Sequence, residues 1–372
     1  MRIAFLSTFY PFRGGIAQFN ASLYRDLEKD NEIKAFTFST QYPDFLFPGK
    51  TQYVQQGDNA DSIESLQVLN TINPLSYYKT AQEIKKWKPD VLIMKYWMSF
   101  FGPALGCVAK QMPENVKIIT ILDNVIPHEK RFFDKPFTSF FLKQNTGFVV
   151  MSETVEKDLL SFNSQAKYIK HLHPIYNHFG EKIDRVKARK QLGIPEDKKV
   201  LLFFGFIRDY KGLDILIDSF KKLNDDYYLL IAGEVYGSFT KYQEQIDGLS
   251  NKENIKLFVD YISDDKVPLF FSAADVCMLP YKMATQSGIT YISYHFDLPI
   301  IATDVGGLRE TIRDKDTGLI VNRPDAGQLA EKIIEFFVTK DQISYEKNIA
   351  RLKNELSWDH FAKALTQFTA SL

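Results

Sequence analysis

Arg208 and Lys211 lie in FFGFIRDYKGLDILIDSF, residues 203–220, where an apolar run ends at Gly205 and a helix-patterned run opens after Gly212. Two cations where a strand C-end meets a helix N-end suit a diphosphate. A guanidinium matches phosphate oxygens with a planar fork, and a helix start adds free N–H groups and positive dipole. The plain alternative is a solvated loop with two ordinary charges. Thr285, Gln286, Ser287 and Gly288 form a second polar cluster directly before a helix-patterned stretch, and hydroxyls with backbone N–H groups can cradle phosphate there. The apolar run IIAT, a Gly306–Gly307 turn and Glu310 follow. Turn formation alone explains these glycines. It does not explain why both polar clusters follow strand ends in one domain, which is where α/β proteins bind ligands.

The N-terminal half holds two further candidates. Gly14–Gly15, between the first strand and first helix, lets the backbone approach an anion or simply makes a tight turn. The spacing Gly-x-Gly-x-x-Gly is missing there, which disfavours a dinucleotide. TILDNVIPHEKR, residues 120–131, places Asp123 at a strand end and His128 one short turn later. Either could stabilise developing positive charge or orient a hydroxyl, and Asp123 could instead cap the turn. His171, His173 and His178 have no acidic or cysteine partners at ligand spacing, so no metal site is expected. Residues 128–145, HEKRFFDKPFTSFFLKQN, mix Lys130, Arg131, Lys135 and Lys143 with five phenylalanines. Such a segment either meets a membrane interface or a lipid-linked ligand, or turns its rings to the core.

The elements that must position these residues are legible as alternation. Arg2–Ser7, Glu32–Thr37, Val91–Lys95, Val116–Ile121 and Gly147–Met151 are short apolar runs separated by helix-length segments. The pattern pauses over Lys167–Lys187 and restarts with Val200–Phe204, Tyr228–Ala232, Ile255–Phe258, Val276–Leu279, Ile300–Thr303 and Gly318–Val321. Strands apolar on both faces belong to parallel sheets covered by helices. At 372 residues the chain is long enough for two such α/β domains. They are expected at residues 1–175 and 190–355, facing each other across a cleft, with a terminal amphipathic helix over 356–372. Equal numbers of basic and acidic residues, 46 each, argue against a nucleic-acid binder. Cys107 and Cys277 read as buried thiols. No apolar run reaches the roughly 18 residues of a membrane span and no signal peptide is legible, so a cytoplasmic protein is expected.

Gly14–Gly15, IRDYKGLDILIDSF, LPYKMATQSG and LPIIATDVGGLRETI, in this order and spacing, resemble the GT-B glycosyltransferases of family 4. The resemblance spans nearly the whole chain and is most specific over residues 200–321. It implies two facing Rossmann-like domains, the acceptor mostly N-terminal and a nucleotide-sugar donor mostly C-terminal, and a last helix crossing back to the N-terminal domain. It also implies transfer with retention of anomeric configuration, no required metal and no cofactor. Arg208 and Lys211 match the family's cationic pair on the donor diphosphate, with Gly205 beside them. Fixed cations and helix starts can stabilise a leaving diphosphate without an ion.

Many relatives carry two glutamates where this chain has Ala284 and Ile292, neither of which can hydrogen-bond a sugar. The chain resembles instead a branch with a Thr-Gln-Ser-Gly loop, which implies donor contacts from Thr285, Gln286, Ser287 and Gly288. Glu310, Gly14 and Gly15 would then help hold sugar and ribose, and the main chain at Tyr261–Ile262 the base. Relatives often have a histidine where Asp123 stands. The expected activity is hexosyl transfer from a UDP- or GDP-sugar to a saccharide or lipid-linked saccharide, with peripheral membrane contact through the N-terminal domain as an option. A sugar-nucleotide epimerase and a non-catalytic nucleotide-sugar-binding subunit are the alternatives. An epimerase would convert donor with no acceptor present.

Overall fold

A computed structural model describes residues 1–43, 51–55, 60–126, 131–176, 179–284, 287–312 and 316–372. The chain divides into two compact units. The first holds the segment from Met1, Ala60–Pro174 and Ser357–Leu372, and the second holds Ile175–Leu356.

In the first unit the order is β1 (Arg2–Leu6), α1 (Gly15–Leu27), β2 (Glu32–Thr40), β3 (Ser65–Asn70), α2 (Pro74–Trp87), β4 (Val91–Tyr96), α3 (Gly102–Lys110), β5 (Lys117–Leu122), α4 (Asp134–Leu142), β6 (Gly147–Val150), α5 (Glu153–Phe162) and β7 (Tyr168–Lys170). The strands form one sheet, β3-β2-β1-β4-β5-β6-β7, with every pairing parallel. Strand order reverses between β1 and β4. All six residues of β4 are buried, because helices cover both faces of the sheet.

The second unit runs α6 (Arg185–Leu192), β8 (Lys199–Phe204), α7 (Leu213–Phe220), β9 (Tyr227–Ala232), α8 (Thr240–Asp247), β10 (Ile255–Phe258), α9 (Val267–Ala273), β11 (Val276–Leu279), α10 (Gly288–His295), β12 (Ile300–Thr303), α11 (Leu308–Ile312), β13 (Gly318–Val321), α12 (Ala326–Thr339) and α13 (Tyr345–Glu355). Its sheet, β10-β9-β8-β11-β12-β13, is also wholly parallel and reverses between β8 and β11. Both units therefore have the doubly wound architecture expected from the alternating apolar runs.

The last helix, α14 (Trp358–Ser371), belongs to the first unit and packs on α1. Phe19 of α1 meets Trp358 and Phe361 edge-on, at ring-centroid distances of 5.0 and 5.7 Å. Ser357 caps α14 by accepting from the His360 N–H, so the chain turns sharply into it.

Two expectations need correction. The pause over Lys167–Lys187 holds a strand, β7, and the start of α6. Cys107 is half-buried, because it lies at the margin of the core, whereas Cys277 is buried in β11.

Candidate functional site

Because every strand in the second sheet is parallel, the loops after β8, β9, β10, β11 and β12 open on one edge. The β8 and β11 loops flank the point where strand order reverses, the usual ligand crevice of such sheets. Arg208 and Lys211 follow β8, Ser287 and Gly288 follow β11, Glu310 follows β12 on α11, and Tyr261 and Ile262 follow β10. All of these sequence-predicted donor residues therefore share one sheet edge. Thr285 and Gln286 fall outside the described residues.

The β8 and β11 loops are built against each other. Gly212 has φ +67°, and a Cβ there would lie 1.9 Å from the Pro280 carbonyl oxygen. Only glycine allows this approach. The Lys282 N–H donates to the Tyr210 carbonyl at 2.7 Å, and its ammonium pairs with Asp209 and Asp214 at 3.3 and 2.9 Å. Thr303 of β12 donates to the Tyr281 carbonyl, tying down the other side of the β11 loop.

Lys211 is 8% exposed, and its ammonium reaches Gly205, where an added Cβ would meet Nζ at 3.2 Å. The same Cβ would meet Ile289 Cδ1, in the first turn of α10, at 3.1 Å. The cation and the start of α10 therefore converge on one glycine. Burial, and secondarily the Arg208 charge, push the Lys211 ammonium down to about 8. The Tyr281 ring lies 5.6 Å from that ammonium, and an arriving anion would supply it with counter-charge. Arg208 is half-buried with its guanidinium 4.2 Å over the Tyr236 ring, which covers one face of the fork.

Ser287 is buried, and its Oγ lies 3.0 Å from the Tyr281 hydroxyl. That hydroxyl is thus engaged within the protein, while the Gly288 backbone at the start of α10 is exposed. Ile292, at one of the two glutamate positions, is a buried residue of α10. Glu310 is half-buried, Tyr261 is exposed and Ile262 half-buried.

In the first unit Gly14 precedes α1 with φ +104°, is exposed, and has nothing within 4 Å of a Cβ position. No acidic residue occupies the first turn of α1, where a carboxylate would compete with an anion for the free N–H groups. Asp123 stands at the end of β5. Its Oδ1 accepts from the Lys95 ammonium at 2.7 Å, so it acts in an ion pair rather than as a mere turn cap. Burial pushes the Asp123 carboxyl up and the Lys95 ammonium down, and their mutual attraction opposes both shifts. His128 lies outside the described residues, as does His178. Among the described residues no cluster of three or more His, Cys, Asp or Glu could hold a metal, and no helix is long and apolar enough to cross a membrane.

Lys95, Tyr236 and Tyr281 were not singled out from the sequence. Lys95 left a trace, as a charge inside an otherwise apolar strand; the two tyrosines left none.

Residues 184–355 match the family described as Glycosyl transferases group 1. A D-inositol 3-phosphate glycosyltransferase of Geodermatophilus obscurus is 26% identical over 192 residues, covering 49% of this chain and 42% of that protein. The matched segments span about two fifths of the length of the first curated relatives. Among solved structures, sucrose-phosphate synthase from Thermosynechococcus elongatus superposes with a TM-score of 0.76 at 17% identity, covering 100% of this chain and 99% of the other. Anabaena HepE, in complex with UDP, gives 0.74 at 15% identity with 100% of each chain covered. This chain has the GT-B fold, and its residues 184–355 are a glycosyl transferases group 1 domain.

Proposed function

We propose that this protein is a glycosyltransferase that moves a hexose-type sugar from a UDP- or GDP-linked donor to a saccharide or lipid-linked saccharide. Transfer proceeds with retention of anomeric configuration and without a metal ion. The observation that carries this reading is the convergence of Lys211 and the first turn of α10 on Gly205, with Arg208 on the same loop. Fixed cations and helix N–H groups placed where negative charge grows on a leaving diphosphate lower the barrier without reorganising at the moment of reaction. The resemblance to HepE, whose structures hold UDP and UDP-glucose, supports a uridine donor as the first to test.

In this reading Gly205, Ser287 and Gly288, with Thr285 and Gln286, line the diphosphate site. Glu310, Gly14 and Gly15 serve sugar and ribose, and the backbone at Tyr261–Ile262 serves the base. Asp123 or His128 stabilises the cationic sugar or orients the acceptor hydroxyl. The lipid-linked option rests on Phe132, which is 96% exposed between Arg131 and Lys135 at the start of α4. The deciding assay is nucleoside diphosphate release from UDP- and GDP-sugars, with and without saccharide acceptors. Release that depends on acceptor and collapses in Arg208→Ala and Lys211→Ala supports transfer. Donor conversion without acceptor points to an epimerase, and no turnover with intact nucleotide binding points to a non-catalytic subunit.

A further inference from the structure

The ion pair at the end of the first sheet has a feature that the donor chemistry does not use. Lys95 is 1% exposed, in a strand whose other residues are hydrophobic and buried, VLIMKY. Its ammonium contacts Asp123 at 2.7 Å and lies 3.4 Å from the centroid of the Phe19 ring. Phe19 is itself buried and carries the edge of His173 at 4.9 Å. A buried ammonium is costly, and an apolar side chain of similar volume generally suits such a site as well or better. Fold stability alone therefore does not account for a lysine here.

Asp123 differs from its partner. Its side chain keeps 22% of its exposure against 2% for Lys95, so the carboxylate reaches the sheet edge while the ammonium stays behind it. We infer that Lys95 is a positioning residue that holds the Asp123 carboxylate ionised and in one orientation at the β5 end. The inference rests on the proposed role of Asp123 at the transfer site.

Among the described residues, the pair and the rings set against it come from four segments. β4 supplies Lys95, β5 supplies Asp123, α1 supplies the Phe19 ring, and the segment after β7 supplies His173. Burial, and secondarily the Lys95 charge, push His173 down to about 3, so it is neutral at working pH and adds no competing charge. Among the described residues, Lys95 and Asp123 are the charges that act on one another. With Lys95 made neutral, burial of the Asp123 carboxyl is unopposed, and it takes up a proton at higher pH.

The test is a carbon-13 titration of aspartate carboxyls, with the Asp123 resonance assigned by its loss in Asp123→Asn. In Lys95→Met the Asp123 midpoint moves to higher pH. With the nucleotide sugar that gives the largest thermal shift, kcat at pH 7 falls about tenfold or more and recovers as pH rises. Affinity for the nucleoside diphosphate is unchanged, and Lys95→Arg restores the wild-type profile. If Lys95→Met fails to fold, Lys95→Gln keeps a donor without the charge and carries the same test. An unmoved Asp123 midpoint overturns the inference, as does a kcat loss of equal size at every pH. Full turnover in Asp123→Asn would defeat the transfer role of Asp123 instead, and the titration would still decide the link to Lys95.

Discussion

Lys211 and Arg208 take different parts in holding an anion. Lys211 is a desolvated point charge beside the Gly205 backbone, and Arg208 is a fork backed by the Tyr236 ring. Lys211→Ala should lower kcat/KM about 100-fold or more while leaving the melting temperature within a few degrees; steady-state kinetics and a thermal melt check both. Since the Lys211 ammonium is pushed down to about 8, it deprotonates as pH rises through that value. Nucleoside diphosphate affinity should therefore weaken above about pH 8 in the wild type and lose that dependence in Lys211→Met, as read by calorimetry. The stability sign is opposite. The unfolded chain holds this proton to higher pH than the native state, so the cost of burying the charge is fully present below about pH 8. That cost is relieved as pH climbs toward the ordinary lysine value.

At the scale of elements, the two donor loops act as a unit because Gly212 lets them touch. Gly212→Ala would force a Cβ against the Pro280 carbonyl at a positive φ, with an expected loss of about 3 kcal/mol or more. Gly14→Ala meets no neighbouring atom, so its loss should be smaller, about 1–2 kcal/mol from backbone strain alone. Denaturant melts of the two variants order them. The same contrast marks what could be read from sequence. Apolar runs such as VLLFF and VCML announced their strands, and the polar residues after them announced the sheet edge. β3, SLQVLN, escaped because an edge strand needs fewer apolar residues, and β7 because three residues show no period. The Lys95–Asp123 pair joins residues 28 apart, and the Tyr281–Ser287 bond depends on how a loop folds. Neither follows from local pattern.

For the whole molecule, the chain leaves the first unit at Pro174 and returns to it at Ser357, so α14, from the end of the chain, packs on α1, from its beginning. Trp358, Phe361 and Leu365 are buried in that unit, each contributing about 1.5–3 kcal/mol. Lys117 donates to the Thr369 carbonyl at 3.0 Å. A chain ending at Leu356 should lose the cooperative melting of the first unit, since these terms together rival a domain's whole stability of about 5–15 kcal/mol. An unchanged melting curve would refute that. The central claim, that the C-terminal edge of the second sheet receives the diphosphate of a nucleotide sugar, is tested most directly by thermal shift over UDP, GDP, ADP and dTDP. Wild type and an Arg208→Ala/Lys211→Ala double variant would be compared. A rise with at least one nucleotide in the wild type, absent in the double variant, is the result expected. No rise with any of the four, or an equal rise in both proteins, would contradict it.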